Sequence, residues 1–443
     1  MQSQIALEPE TEPAIISSPD TPVQWSTTLK IAFRFAFCYF GLYCLPFPFG
    51  ALPYTDKPSE WYEAVWHKVV PWFAQHILHL AQPITIFTNG SGDTTYDYVR
   101  ALCFLVIAAI VAIAWTVLDR KRANYTRLGD WWRLYIRLTL GTALLSYGAF
   151  KVIPSQFPPL LQWRYLETYG TSSPMGILWS FMSASKTYTI FAGAVEVLGG
   201  VLLFVPRLAT LGALVGIGAM ANVFLLNMSY DVPVKLYSFH LLLLSIVVPL
   251  PQIHRLTRFF VLNQTTEPAR VELRFQHKWA NRALVIGQLV LGISVGATAL
   301  HLSYQQLKSF TSTDIVIPAL HGAWNVDEFT VDGQPRTPLI TDTLRWQKVI
   351  FDFRGVLAFQ QMNGGITRLA AKIDADRRTI TMTKRNDAKW KADLTYTLPT
   401  ADTMTMDGQI DGQKVQIKMH HLDGKYLLNT RGFHWINESP LNR

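Results

Sequence analysis

Residues Thr187–Lys235 read TYTIFAGAVEVLGGVLLFVPRLATLGALVGIGAMANVFLLNMSYDVPVK, two apolar runs joined at Pro206-Arg207. Each run is long enough to cross a bilayer, which takes about 20 predominantly apolar residues. Glu196 lies about midway through the first run. A carboxylate at that depth costs roughly 2.5 kcal/mol or more unless it is protonated, paired or facing water. The stretch therefore predicts two membrane helices with either a functional site or a buried structural ion pair at Glu196.

The composition of the whole chain favours the same class of protein. Of the 443 residues, 49% are hydrophobic and 16% are charged, whereas about 25% of a soluble domain is charged. The net charge is +9, but the basic residues gather in short loops beside apolar runs. That arrangement is a topology signal, and we predict no nucleic-acid partner.

Outward from the opening stretch, hydropathy predicts about seven transmembrane helices, an all-α polytopic membrane bundle over residues 29–303. Between the first two spans, residues 51–99 contain a segment with the helical periodicity of an interfacial helix. The predicted spans are Leu29–Gly50, Ala101–Leu118, Trp131–Lys151, the Glu196 helix, Leu208–Leu226, Val234–Leu250 and Ala283–Ser303.

The orientation of this bundle follows from its basic loops. Residues 120–133 and 255–282 are rich in arginine and fall on the same side of the arrangement, which is cytoplasmic by the positive-inside rule. The N-terminal tail, residues 1–28, is acidic and proline-containing, and is predicted to be disordered and cytoplasmic. We predict a multi-pass protein of the cell (inner) membrane, with the lipid bilayer as its first partner and its C-terminal part extracytoplasmic.

A β-domain is predicted after a linker over residues 304–319. Residues 320–443 contain short runs of alternating polarity, separated by Asp-Gly and Asn-Gly turns. They predict about eight antiparallel strands in a small barrel or sandwich. Gly322-x-Trp324 opens this domain as it opens many lipocalin-like barrels. The pattern leaves open whether the interior is packed or holds a ligand.

Polar residues within the spans define the candidate site. Lys151, Asn222, Asn227 and His240 fall in the outer half of consecutive spans around Glu196, so an outward-opening cleft would collect them. Glu196 and His240 are the candidate catalytic residues, because burial raises the pKa of a carboxyl and leaves an imidazole near neutrality. The structural alternative is that the lysine snorkels, the asparagines bond to backbone and Glu196 ties helices together.

Outer loops would rim that cleft and hold an anionic substrate. Lys235 joins Lys151 as a candidate substrate ligand, with Asp231 beside it and Asp93 and Thr94 in the loop before the second span. Helix capping alone would also explain Asp93 or Thr94.

Metal and covalent cofactor sites are not predicted. Cys38, Cys44 and Cys103 form no CxxC motif or metal-ligand spacing. Cys44 and Cys103 could form a disulfide. Their apolar surroundings favour the alternative, in which they are two inert thiols.

The chain resembles the DoxX family of small membrane proteins over residues 131–251, the four-helix core. The resemblance lies in YGAFK ending at Lys151, EVLGG beginning at Glu196, and Pro206-Arg207 at the turn. The longer pattern, including GSGDTTYDY and RGFHWINESPLNR, resembles an uncharacterised bacterial subgroup. The resemblance implies membrane redox or thiol chemistry, since some DoxX proteins are membrane subunits of a thiosulfate:quinone oxidoreductase. The wider grouping is also similar to the membrane part of vitamin K-dependent gamma-carboxylases, whose chemistry would require a deprotonated lysine.

Two functions from different classes follow as hypotheses. In the first, the protein is redox-associated and its outer cleft binds a small anion or a quinone, with Glu196 as proton carrier. In the second, it is a non-catalytic membrane scaffold whose β-domain engages an envelope protein partner or lipid.

Overall fold

The computed structural model describes residues 24–50, 55–86, 90–268, 275–311, 319–352, 356–384 and 387–442. Within these ranges a helical part with long apolar helices precedes a closed antiparallel β-barrel. The predicted combination of a membrane-type helical part and a small β-domain is confirmed.

The helices of the described residues follow the predicted order. They are α1 (Thr27–Cys44), α2 (Asp56–His76), α3 (Thr95–Leu118), α4 (Thr126–Val152), α5 (Gln162–Leu166), α6 (Pro174–Ala184), α7 (Lys186–Phe204), α8 (Ala209–Ser229), α9 (Lys235–Val247), α10 (Ile253–Phe260), α11 (Lys278–Thr311) and, after the barrel, α12 (Leu427–Thr430). Short 3₁₀ turns occupy Tyr169–Thr171, Pro206–Leu208 and Leu250–Gln252.

Fewer helices than predicted qualify as membrane spans. In the described residues, five helical stretches are long and apolar enough to cross a bilayer: α3, α7, α8, α9 continued by α10, and α11. The prediction of about seven also counted α1 and α4. Both form, but charged residues reduce their hydropathy: Lys30 and Arg34 in α1, and Arg127, Asp130, Arg133, Arg137 and Lys151 in α4.

The polar helix α4 lies at the centre of the bundle, in contact with α1, α7, α9 and α11. Its closest neighbour is α7, because glycines face each other where the two helices cross. A Cβ atom on Gly148 would lie 2.8 Å from the Gly193 carbonyl oxygen, and one on Gly193 would lie 2.7 Å from the Gly148 carbonyl oxygen. Backbone therefore meets backbone, as in small-residue crossings of membrane helices.

Two element ends differ from the predicted domain boundaries. Within the predicted tail, Trp25 is ordered and its ring contacts Phe33 edge-on, with a centroid distance of 5.4 Å; residues 1–23 lie outside the described ranges. The last helix continues to Thr311, through half of the predicted linker, and Leu320 is already buried in the barrel core. Residues 312–318 lie outside the described ranges.

The cysteines are free thiols. Cys44 and Cys103 are both buried in the apolar core of α1–α4, and they form no disulfide. Apolar packing is their observed role.

The β-domain is an up-and-down barrel, which decides between the two predicted shapes. In the described residues, the first strand pairs with the third, each later strand pairs with the next, and the last strand pairs back with the first, while a two-residue second strand pairs only with the first. The strands are β1 (Gly322–Val331), β2 (Gln334–Pro335), β3 (Trp346–Phe351), β4 (Val356–Gln361), β5 (Ile366–Asp374), β6 (Thr379–Lys384), β7 (Asp387–Thr400), β8 (Thr403–Ile410) and β9 (Gln413–His421).

The barrel interior is packed with large apolar side chains. Trp324 of the Gly322-x-Trp324 motif is fully buried there, and its indole N–H donates to the Leu320 carbonyl at 2.9 Å. Aromatic and sulfur-containing side chains from the other strands fill the same core, including Trp346, Phe351, Phe359, Met382, Met404, Met406 and Met419.

A buried carboxylate joins the barrel to the helical part. Asp352, just after β3, is 2% exposed, and it accepts backbone N–H groups of α5 from Gln162 at 2.5 Å and from Trp163 at 3.3 Å. A side chain of the barrel therefore caps a helix of the outer loop.

Aromatic contacts surround this cap. Two guanidinium groups lie over the Trp163 ring, Arg164 at 4.2 Å and Arg368 of the barrel at 4.9 Å from its centroid. Tyr165 stacks on Tyr426, after the last strand, with a centroid distance of 4.6 Å. The barrel is thus docked on the segment that follows α4.

Docking of the barrel should weaken as the pH rises. Burial raises the pKa of Asp352 to about 6, although the two backbone N–H groups oppose the shift. A carboxyl with a raised pKa stabilises the docked state at low pH, below the free value of about 3.9, and this contribution is lost as pH rises through 6. The difference is on the order of 3 kcal/mol. Spin-label distances between position 169 and position 414 should report more docked protein at pH 5 than at pH 8.

Asp352→Asn tests the cause of that dependence, because an amide does not titrate. The docked fraction should then be nearly constant over the same pH range, while Asp376→Asn, a change at an exposed barrel carboxyl, should leave the wild-type dependence intact. An unchanged pH profile in Asp352→Asn would show that Asp352 is not the cause of the dependence.

Candidate functional site

Lys151 and Glu196 form a buried ion pair between the end of α4 and the middle of α7. The Lys151 Nζ atom lies 2.7 Å from Oε1 and 2.8 Å from Oε2 of Glu196, so the ammonium donates to both carboxylate oxygens. Their side chains are 9% and 2% exposed. Both readings of Glu196 in the sequence, functional site and structural pair, are compatible with this contact.

The glycine crossing places the two charges in reach of each other. A Cβ atom on Gly193 would lie 2.6 Å from the Lys151 Cβ atom, so a larger residue there would displace the lysine. Tyr147, one turn before Lys151, is close enough to Glu196 to interact with it electrostatically. Its ring also contacts Tyr237 of α9, with a centroid distance of 5.7 Å.

His240 belongs to a different group of residues. Its Nδ1 atom lies 2.7 Å from the Leu236 carbonyl oxygen, to which it donates, so Nε2 accepts from the Tyr39 hydroxyl at 2.6 Å. The imidazole is 2% exposed, and the Tyr43 ring stacks on it with a centroid distance of 3.8 Å. Neither hydrogen bond joins His240 to Glu196, so the structure does not pair these two predicted catalytic residues.

Sequence reasoning missed Tyr39 and Tyr43 as partners of this histidine. They stand four residues apart in the aromatic first helix, so they share one face of α1. That spacing was the available signal, but it does not identify which helix the face contacts.

The predicted anion ligands of the outer loops are occupied at helix ends. The Asp93 carboxylate accepts the backbone N–H groups of Lys235 at 2.8 Å and Leu236 at 2.9 Å, and so caps α9. The Lys235 ammonium lies 2.8 Å from Asp231 and 3.7 Å from Asp93. Thr94 caps its own helix, α3, in a reciprocal capping box with Asp97.

The two asparagines of α8 lie in different environments, one buried and one exposed. Asn227 is buried and its Nδ2 atom donates to the Ser238 hydroxyl of α9 at 3.0 Å. Asn222 is exposed on the outside of α8. The predicted single cleft is therefore resolved into the Lys151–Glu196 pair, the His240–Tyr39 group and the cap of α9.

Clusters of three or more His, Cys, Asp or Glu side chains that could hold a metal ion do not occur among the described residues. The arrangement that remains for chemistry is a carboxylate and an ammonium in a largely apolar interior. Such a pair can exchange a proton or release the ammonium to an anionic ligand.

Part of the chain is similar to a known protein. The uncharacterized protein YwoB of Bacillus subtilis (strain 168) is 31% identical over 112 residues, which are 25% of this chain and 71% of that protein. No protein-family model matches the chain, and no solved structure matches it.

A double-mutant cycle should show strong coupling within the ion pair. Lys151→Met or Glu196→Leu alone leaves a buried charge without its partner and should lower the free energy of unfolding by about 3–5 kcal/mol. The double variant should lose much less than the sum, because two apolar side chains of similar volume replace the pair. Unfolding in mixed detergent micelles measures each term.

The exposed Lys391–Asp393 pair of the barrel provides the control, since its side chains are 60% and 52% exposed. Its coupling should stay below about 1 kcal/mol. Additive effects of Lys151→Met and Glu196→Leu would show that the buried contact contributes no coupling.

Proposed function

We propose a function from the geometry of the helical part. The chain belongs to the same family as the Bacillus protein YwoB, but that protein is itself uncharacterised and indicates no function. The protein is an integral membrane protein in which the Lys151–Glu196 pair is a proton-linked binding site for a small anion or a quinone. The observation that carries this proposal is one ammonium shared by both oxygens of a carboxylate at the centre of apolar helices.

The pair supplies the two properties that a quinone site needs. An approaching quinone oxygen or anion competes with Glu196 for the Lys151 ammonium, which binds it by a charge-assisted hydrogen bond. Glu196, once released, is a proton carrier. Reduction of the quinone to the quinol takes two electrons from an external donor, such as two thiosulfate ions that become tetrathionate or two thiols that become a disulfide. It also takes two protons from water, and Glu196 takes up one of them once Lys151 is released and passes it to a quinone oxygen. The resemblance to DoxX proteins supports this chemical class.

Proteoliposomes test the redox proposal directly. Protein reconstituted with menaquinone should reduce it when thiosulfate or a thiol is added, as followed by quinone absorbance. Glu196→Gln should abolish the reduction, because an amide neither takes up nor releases a proton near neutral pH, whereas Glu63→Gln, at the ion pair of α2 with Arg100, should retain it. A wild-type rate equal to that of empty liposomes overturns the proposal.

A non-catalytic scaffold is the second candidate, and the packed barrel interior favours it. Because side chains fill the barrel, a partner of this domain has only its outer surface to contact. Crosslinking from exposed barrel positions in native membranes would then capture an envelope protein, and Glu196→Gln would have no phenotype. The redox proposal requires the opposite result for Glu196→Gln.

The topology that we propose includes α1 and α4 as spans, giving seven with a cytoplasmic N-terminus. Support comes from their charged side chains, which contact other residues of the same chain. The Arg34 guanidinium of α1 donates to the Tyr125 and Thr116 hydroxyls and to the Asp119 carbonyl. Reporter fusions after residues 124 and 265 should be fluorescent with GFP, and those after 160 and 311 active with alkaline phosphatase. GFP fluorescence after residue 311 would invert the orientation.

A further inference from the structure

Arg133 and Arg137 form a second charged group inside the bundle, separate from the Lys151–Glu196 pair. They stand one helical turn apart on α4 and are 6% and 3% exposed. Arg137 precedes Lys151 by 14 residues, which is about 21 Å along the helix axis. The proposed redox chemistry uses neither arginine.

The two guanidinium groups contact different neighbours. Arg133 Nε donates at 2.5 Å to the carbonyl of Val248, at the end of α9, and Asp130 lies close enough to stabilise its charge. Arg137 Nη2 donates to the amide oxygen of Gln288 in α11. The buried Nε atom of Arg137 has no acceptor among the described residues. A guanidinium carries five N–H donors, so Arg137 is far from satisfied.

Other buried cations of the helical part show what a satisfied group looks like here. Arg34, 2% exposed, donates to three different residues, and the Tyr125 hydroxyl it contacts donates in turn to the Asp119 carboxylate. Lys151 faces a carboxylate directly. Arg137 instead faces a neutral amide and the positive charge of Arg133. Its charge lacks a counter-charge in the described part of the chain.

The position of the pair fits an anion that comes from the bilayer surface. Side chains of a helix tilt toward its N-terminus, so both arginines lean toward the first turns of α4 and away from the membrane centre. The neighbouring helix α11 contacts α4 and α7 and leaves most of its apolar surface exposed on the outside of the bundle. Lipid around this face of α11 would lie beside the seam between α4 and α11.

We propose that Arg137 binds a phosphate group at the α4–α11 seam, with the positive charge of Arg133 one turn away, and that the source of the phosphate is the headgroup of an anionic phospholipid in the adjoining leaflet. The planar guanidinium forms paired N–H···O bonds with phosphate oxygens. A phosphate there supplies the acceptors that Arg137 lacks and takes the place of the Gln288 amide oxygen.

Lipid retention tests this assignment on the full chain. The protein is reconstituted into nanodiscs of mixed phosphatidylcholine and phosphatidylglycerol, extracted mildly, and the bound lipid is counted by native mass spectrometry. Wild type should retain phosphatidylglycerol in preference to phosphatidylcholine. Arg137→Gln should reduce that preference about tenfold, the effect of one lost charge-assisted contact. Arg255→Gln, at an exposed arginine of α10, should match wild type.

Inorganic phosphate distinguishes the two sources of the ligand. In pure phosphatidylcholine nanodiscs, a rise in the thermal midpoint of wild type but not of Arg137→Gln on adding phosphate would assign the site to the free ion. No response to phosphate, together with retained phosphatidylglycerol, assigns it to the lipid. Equal phosphatidylglycerol retention by wild type and Arg137→Gln, with no response to phosphate, overturns the proposal.

A second variant keeps the test decisive if Arg137→Gln fails to fold. Arg137→Lys keeps the charge and loses the fork, so it should retain an intermediate amount of phosphatidylglycerol. Retention as strong as that of wild type would contradict the bidentate geometry. For wild type itself, equal thermal midpoints with and without phosphatidylglycerol, and no retained lipid, would remove the site.

Discussion

The contact between Lys151 and Glu196 is the constraint on which the helical part depends. Two charges removed from water require each other, because either alone carries an uncompensated desolvation cost. Their atoms meet at 2.7 Å only because α4 and α7 cross with backbone against backbone at Gly148 and Gly193. The ion pair therefore depends on the glycine crossing, and a change in either alters the other.

The same constraint explains why a helix as polar as α4 occupies the centre. Surrounded by α1, α7, α9 and α11, it buries Arg133, Arg137 and Lys151 against other parts of the bundle. Arg133 contacts the end of α9, Arg137 contacts α11, and Lys151 contacts α7. Hydropathy alone excludes such a helix from a count of spans, although its position in the bundle depends on those charges.

The barrel is attached by polar and aromatic contacts, and its core is separate from that of the helices. Asp352 brings an anionic group to the first turn of α5, where backbone N–H groups have no partner within the helix. Burial raises its pKa to about 6, so the junction is sensitive to pH in a range where the filled barrel core is not.

The sequence by itself determined the elements of this protein. Apolar runs predict its helices and alternating runs its strands, because both periodicities are local properties of the chain. The sequence also marked Glu196 and Lys151 as unusual and left their roles open. Tertiary structure alone decided which residues meet: Asp93 caps a helix that begins 142 residues later, and His240 bonds to Tyr39 across 201 residues. Tertiary structure also pairs β1 with β9 to close the barrel, and it docks the barrel on α5 through Asp352. Such contacts depend on how helices and strands pack in three dimensions. No local pattern of residues identifies a contact partner that lies about 100 or more residues away in the sequence.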